Sequence, residues 1–236
     1  MIRVYVKLTS DELRDEKACR YGIKCFEESY PDGLDIEWTA EEQVKLIMGP
    51  CKQFVSWANA HSLIPPICLK SANLKGSNLN GAILEGVNLA GADLEGADLE
   101  GANLVDAALE SANLARANLA EANLRSANLL DANLMGAKLE GADMRHATLM
   151  GVNLEGANLR FATLREAKLA VSDLAGANLE GANLRNADLR GADLKGANLT
   201  GAILLNAELA GANLEGANLE GADFDGARGF SPDVSK

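Results

Sequence analysis

The chain has 236 residues, of which 47% are hydrophobic and only 4% aromatic, and its 22 Lys and Arg face 34 Asp and Glu for a net charge of −12. That balance excludes the broad basic surface that grips nucleic acid, and no apolar run approaches the length of a membrane span. The four cysteines, Cys19, Cys25, Cys51 and Cys68, show no CxxC spacing, so neither a zinc site nor a disulfide framework is expected, and a reducing compartment suits them.

The first 66 residues stand apart from the rest. Ile2, Val4, Val6 and Leu8 alternate as a short strand would, and Thr9-Ser-Asp-Glu12 then forms a capping box that opens a helix. Its apolar positions Leu13, Ala18, Tyr21, Cys25 and Phe26 recur three or four apart until Pro31-Asp-Gly33 ends it. A second capping box, Thr39-Ala-Glu-Glu42, predicts a helix to about Met48, and Pro50 suits the first turn of a third helix carrying Phe54, Val55 and Trp57. Pro65-Pro66 closes this α-rich unit. The opening Met1-Ile-Arg-Val lacks the apolar stretch of a signal peptide, so a cytoplasmic location is expected.

From Leu69 to Phe224 a large apolar residue stands at every fifth position, 32 times in unbroken register, with Met144 and Phe224 the departures from Leu. On an α-helix a step of five leaves successive side chains about 140° apart, so no stripe forms. On a strand five is an odd number of steps, so half of the leucines would meet water. The remaining solution is a chain that turns a corner after each pentapeptide and aims every Leu at one axis. Two residues before the Leu stands Ala at 27 of 32 sites, with Ile67, Ser77, Val87, Val152 and Ser172 as exceptions; two residues after it stands Gly at 19 of 32. A narrow interior explains the first preference, and the backbone of a tight corner the second. Asn or Asp just before the Leu suits side-chain bonding to neighbouring backbone.

This A(N/D)LxG pattern, as in Ala97-Asp98-Leu99-Glu100-Gly101, resembles the pentapeptide-repeat family over about two-thirds of the chain. The resemblance implies a mainly β fold, a right-handed quadrilateral β-helix with four pentapeptides and twenty residues per coil, and a bacterial setting. Eight coils at about 4.8 Å each would make a rod of roughly 35–40 Å. The expected organisation is therefore an α-rich unit at 1–66, the β-helix at 67–228 and a tail at 229–236. An uncovered first coil would expose strand edges and apolar cross-section, so the first unit is expected to cap it. The alternative is partner recruitment through Trp38 and Trp57. At the far end Phe224 and Phe230 could plug the coil or meet a second copy end to end.

The charge lies mainly in the repeat: residues 67–228 carry 22 acids and 13 bases, net −9. Solubility explains this, and imitation of a DNA backbone is the sharper alternative. Stacked at a period of twenty, one side differs from the others. The series Leu84 to Phe224 keeps Gly only at Gly86 and Gly226, with Asp106, Ser126, His146, Glu166, Asn186 and Asn206 at the other corners. After its leucines come Arg125, Arg145, Arg165 and Arg185 in successive coils, an expected ladder at strand spacing of about 4.8 Å. Asp106, Asp143 and Glu166 are near enough to offset part of its repulsion, so the ladder is either a solvated face with surface ion pairs or a contact for an anion or acidic protein. Leu130 and Met150 should stack on an adjacent side, Phe161 and Val171 take corners where Gly is normal, and His146 lies between the arginine side and Leu130/Met150. A contiguous patch of these residues would mark an interaction site.

With two His, no activated Ser or Cys and no phosphate-cradling loop, no catalytic residue, metal or cofactor is expected. His146 with Glu166 lacks a pocket to exclude water. The expected function is a rigid, non-enzymatic scaffold for a protein partner, without direct nucleic-acid or membrane contact. The alternative implied by the resemblance is a DNA mimic acting on a type II topoisomerase, weakened here by the arginine ladder, by the absence of an inserted loop and by the short C-terminus.

Overall fold

The computed structural model describes residues 5–8, 34–37, 43 and 68–229. Strand β1 (Tyr5–Leu8) pairs antiparallel with β2 (Leu34–Glu37), in the register Tyr5 to Glu37 and Leu8 to Leu34. β1 falls within the strand expected at residues 1–8, whereas β2 follows the Pro31-Asp-Gly33 helix stop and was not expected. The three expected helices lie outside the described residues except at Gln43, which is helical.

From residue 68 onward the backbone coils with a period of twenty. Each residue preceding an interior Leu bridges in parallel to its equivalent one coil on, in an unbroken series from Cys68 with Asn88 to Glu208 with Arg228. The leucine N–H donates upward, as Leu99 does to the Asn118 carbonyl at 2.7 Å, and the residue before it donates downward, as Asp98 does to Ser77 at 2.9 Å. Each coil therefore bonds only to its neighbours, the arrangement whose stability is a sum of adjacent interfaces. Four pentapeptides close each coil, as the resemblance implied.

The corners explain the spacing. At each of them the carbonyl of the interior residue accepts the N–H three residues on, from Ala72 to Leu69 at 3.0 Å through Ala227 to Phe224 at 2.9 Å. The third residue of each turn has positive φ, the type II arrangement. Nineteen of these positions are Gly and thirteen are not, and the thirteen still hold φ between 54° and 61°. Positive φ is thus demanded by the coil rather than conferred by glycine. Val171, β-branched at φ 54°, is the most unfavourable residue for such a corner. The Asn and Asp residues work as their chemistry suggests: Asn88 Oδ1 accepts the Ala90 N–H at 3.1 Å, and Asn133 Nδ2 donates to Asn113 Oδ1 at 3.1 Å one coil away.

Inside, the leucines and the small residues before them form one continuous core, and Leu99, Leu119, Leu139 and Met144 are fully buried. The two ends differ. At the first coil Gln43, 4% exposed, accepts the Cys68 N–H on its Oε1 at 2.7 Å. In later coils the equivalent N–H donates to a carbonyl of the coil below, as Asp93 does to Ala72 at 2.9 Å. The Gln43 amide stands where a preceding coil would be. At the last coil Leu219 and Phe224 are only partly buried against the core, and Phe230 lies outside the described residues.

Candidate interaction surface

Each turn carries two outward residues, the one after the interior Leu and the corner residue itself. The series Leu84 to Phe224 lines side 4, and its turns lead into side 1, the series Leu69 to Leu209. The arginines therefore occupy the corner between sides 4 and 1, and Leu130 and Met150 occupy the corner between sides 1 and 2. The two columns border one face. Its floor is the middle residue of side 1, half-buried Asn128, Thr148 and Asp188 and exposed Lys168.

The backbone fixes both columns in register. Ser126 N–H donates to the Arg145 carbonyl at 2.9 Å, His146 to Arg165 at 3.1 Å and Glu166 to Arg185 at 3.0 Å. Ser111 N–H reaches Leu130 at 2.9 Å and Asp131 reaches Met150 at 3.0 Å in the same way. Leu130 and Met150 are 37% and 40% exposed, and Val171, at their corner one coil beyond Met150, is 65% exposed.

The four arginines are not equivalent. Arg145 Nε and Nη2 hold Asp143, two residues earlier, at 2.8 and 2.5 Å. Burial pushes the Asp143 carboxyl up, but these two bonds, the backbone N–H and charge of Arg145 and the charge of Arg125 outweigh it and hold the group below its usual value. Asp143 in turn raises Arg145. Among the described residues no carboxylate lies within salt-bridge distance of Arg125, Arg165, Arg185 or Lys168. Lys70 and Lys138 also lack such a partner among the described residues, but most other cations find acids: Lys75 and Arg116 both hold Glu95, and Arg160 reaches Glu140 at 3.6 Å and Glu180 at 3.1 Å. Lys195 reaches Glu215 at 3.0 Å, and on side 1 itself Arg190, at the Leu130/Met150 corner, holds Asp188 at 2.7 Å. The unpaired positive charge of the rod thus concentrates at one face.

Other candidate residues are placed differently. His146 Nδ1 lies 3.3 Å from Glu166 Oε2, on the arginine corner, with both side chains about half exposed. Phe161 stands apart, at the corner between sides 3 and 4, diagonally opposite the corner of Leu130 and Met150. Its ring, 56% exposed, covers Gly181 and receives the Arg160 guanidinium at 5.0 Å, within cation–π range. Glu100, Glu121 and Glu140 line a shallow cleft of about 360 Å³ beside it. Sequence reasoning placed Asp143 near enough to offset part of the ladder's repulsion but did not single out Arg145 as the arginine it holds, and it passed over Lys168 on the floor and exposed Met135 at the corner between sides 2 and 3. The i−2 spacing of Asp143 to Arg145 was the available signal.

The model of pentapeptide repeats matches in eight copies over residues 67–104, 102–141, 132–170, 169–206 and 192–228. The chain belongs to the pentapeptide-repeat family. Among solved structures it is similar to HetL, a pentapeptide-repeat protein involved in heterocyst differentiation regulation from the cyanobacterium Nostoc sp. strain PCC 7120. The two are 40% identical over 71% of this chain and 78% of that one, with a TM-score of 0.54. QnrB1, a plasmid-mediated fluoroquinolone resistance protein, in a trypsin-treated mutant form, is 22% identical over 69% of this chain and 83% of that one, with a TM-score of 0.62. That likeness is one of fold. No curated protein matches the chain. Among the described residues no helix is long and apolar enough to cross a membrane.

Proposed function

We propose that this pentapeptide-repeat protein is a non-enzymatic, cytoplasmic scaffold that docks a protein partner on side 1. The observation that carries this reading is the set of unpaired cations, Arg125, Arg165, Lys168 and Arg185, bordering the same face as exposed Leu130 and Met150. Like charges one coil apart repel in the free protein, and an acidic partner would relieve that repulsion while covering the apolar rim. His146 belongs to the same surface through its pairing with Glu166. Phe161, at another corner, is a candidate for a second, separate contact. Likeness to a protein involved in differentiation regulation supports a regulatory task rather than a catalytic one.

The topoisomerase-mimic reading requires a continuous negative face. Side 3 is the nearest approach, with Glu100, Glu140, Glu180 and Glu220 in one column, and Arg160 interrupts it by bridging Glu140 and Glu180. A gyrase supercoiling assay at micromolar protein tests it, and inhibition or quinolone protection would revive it. For the scaffold reading, affinity capture compares the wild type with Arg165→Gln/Arg185→Gln and with Met150→Glu. Loss of the same partner from both variants is expected, and retention of every partner by both would discard the surface.

A further inference from the structure

The width and charge spacing of side 1 say what kind of segment fits it. The face is about three strand steps wide, roughly 10 Å between its corners, and an α-helix with side chains is about 10–12 Å across. A helix laid along the rod axis would touch the arginine corner with one edge and the Leu130/Met150 corner with the other.

Axial spacing agrees. With Arg145 held by Asp143, the free guanidiniums fall into a pair one coil apart, Arg165 and Arg185, and a third, Arg125, two coils from Arg165. At strand spacing these gaps are about 4.8 and 9.6 Å. On a helix, carboxylates three and then seven residues apart rise about 4.5 and 10.5 Å and stay within about 80° of one another. On a strand, same-face residues are about 6.7 Å apart, which matches neither gap. Apolar residues four, eight and eleven positions after the first acid would form an adjoining stripe, each within about 2.5 Å along the axis of Val171, Met150 or Leu130. Within the four coils from Arg125 to Arg185, Glu166 lies against His146 and Asp188 is held by Arg190, and Asp131 stands at the apolar corner. Arg125, Arg165, Lys168 and Arg185 therefore leave the strip net positive, while Asp106 and Glu110 below and Glu208 above bound it.

We propose that the occupant of side 1 is an acidic amphipathic α-helix of a partner protein, about three turns long, lying along the rod with one carboxylate on Arg185, one on Arg165 and one on Arg125. The proposal rests on the docking reading above and adds the partner's chemistry to it. Its occupant belongs to the helix-in-groove mode of recognition.

The probe is a fluorescein-labelled, lactam-stapled, Ala-rich peptide with Glu at its third, sixth and thirteenth positions and Leu at its seventh, eleventh and fourteenth. Its control is an isomer of the same composition with the three Glu moved to the far face. Fluorescence anisotropy against the full chain should show saturable binding of the first peptide, at least about tenfold tighter than the isomer. Arg165→Gln/Arg185→Gln and Met150→Glu should each weaken it about tenfold or more, and Arg145→Gln less than about threefold. All these side chains point away from the core, so circular dichroism should stay unchanged. Equal binding of the two isomers, or indifference to Arg165→Gln/Arg185→Gln, overturns the proposal. If the peptide fails but capture still loses a partner on the same substitutions, the helix is wrong and the docking face stands. If capture loses nothing, the docking reading falls as well.

Discussion

The four sides of the rod are equal inside and unequal outside. Within, each side supplies one buried Leu and one small residue per coil, and Leu149, Leu154, Leu159 and Leu164 are interchangeable in burial. Outside, most cations on other sides meet acids, often one coil away, as Lys75 meets Glu95 and Lys195 meets Glu215, whereas the corner between sides 4 and 1 repeats arginine in four coils. The interior must be uniform because every coil is a template for the next. The surface carries no such constraint, so a run of like charge there is a departure that the fold does not require.

The largest expected effect tests the equality of the interior. Leu149→Ala should cost about 2–5 kcal/mol in chemical denaturation, and Leu154→Ala, Leu159→Ala and Leu164→Ala should cost similar amounts. A spread wider than the series itself would mean that the sides differ inside as well as out.

Corners come next, because they join the uniform interior to the variable surface. A Cβ on Gly181 would meet the Phe161 ring at 2.6 Å with φ at +65°, so Gly181→Ala should lose about 1–3 kcal/mol, part of it restored by adding Phe161→Ala. Val171→Gly should go the other way, gaining about 1 kcal/mol in the same denaturation experiment by relieving a β-branched residue from positive φ.

How much of this was legible follows the same division. The five-residue period alone forced a turning chain, and the twenty-residue stacking implied by the family resemblance placed the arginines in one column and Leu130 beside Met150. What escaped was set by side-chain rotamers and by contacts without a period. Arg145 and Arg165 look alike in the repeat, yet only Arg145 has an acid two residues earlier. Phe161 shares its coils with Met150, and nearness along the rod hid the fact that two sides lie between them. Gln43 is 25 residues from Cys68, in a unit with no repeat, so nothing in the sequence pointed to its bond.

That bond gives a smaller prediction about the ends. If Gln43 stands in for a missing coil, Gln43→Ala should raise hydrogen exchange at Cys68 and in the first coil while leaving interior coils unchanged. The stability loss should be about 1 kcal/mol, the value of one hydrogen bond at a partly exposed donor. Uniform loss of protection along the rod would instead mean that the N-terminal unit supports the whole solenoid.

The smallest effect on stability sharpens the surface contrast most. Asp143 is held below its usual value in the folded chain, so its contribution is present above the ordinary aspartate range, near about 4, and is lost as pH falls through the lowered folded value. Asp143→Asn should therefore flatten the acid side of the melting-temperature profile slightly and leave neutral pH almost unchanged. The same substitution frees Arg145 and completes the column from Arg125 to Arg185. Repulsion along that corner then rises, and binding of an acidic helix should strengthen about two- to threefold at low salt, with the gain fading as ionic strength screens it. If Asp143→Asn weakened that binding instead, Asp143 would be serving to aim Arg145 at the partner rather than to neutralise it, and all four arginines would then belong to the contact.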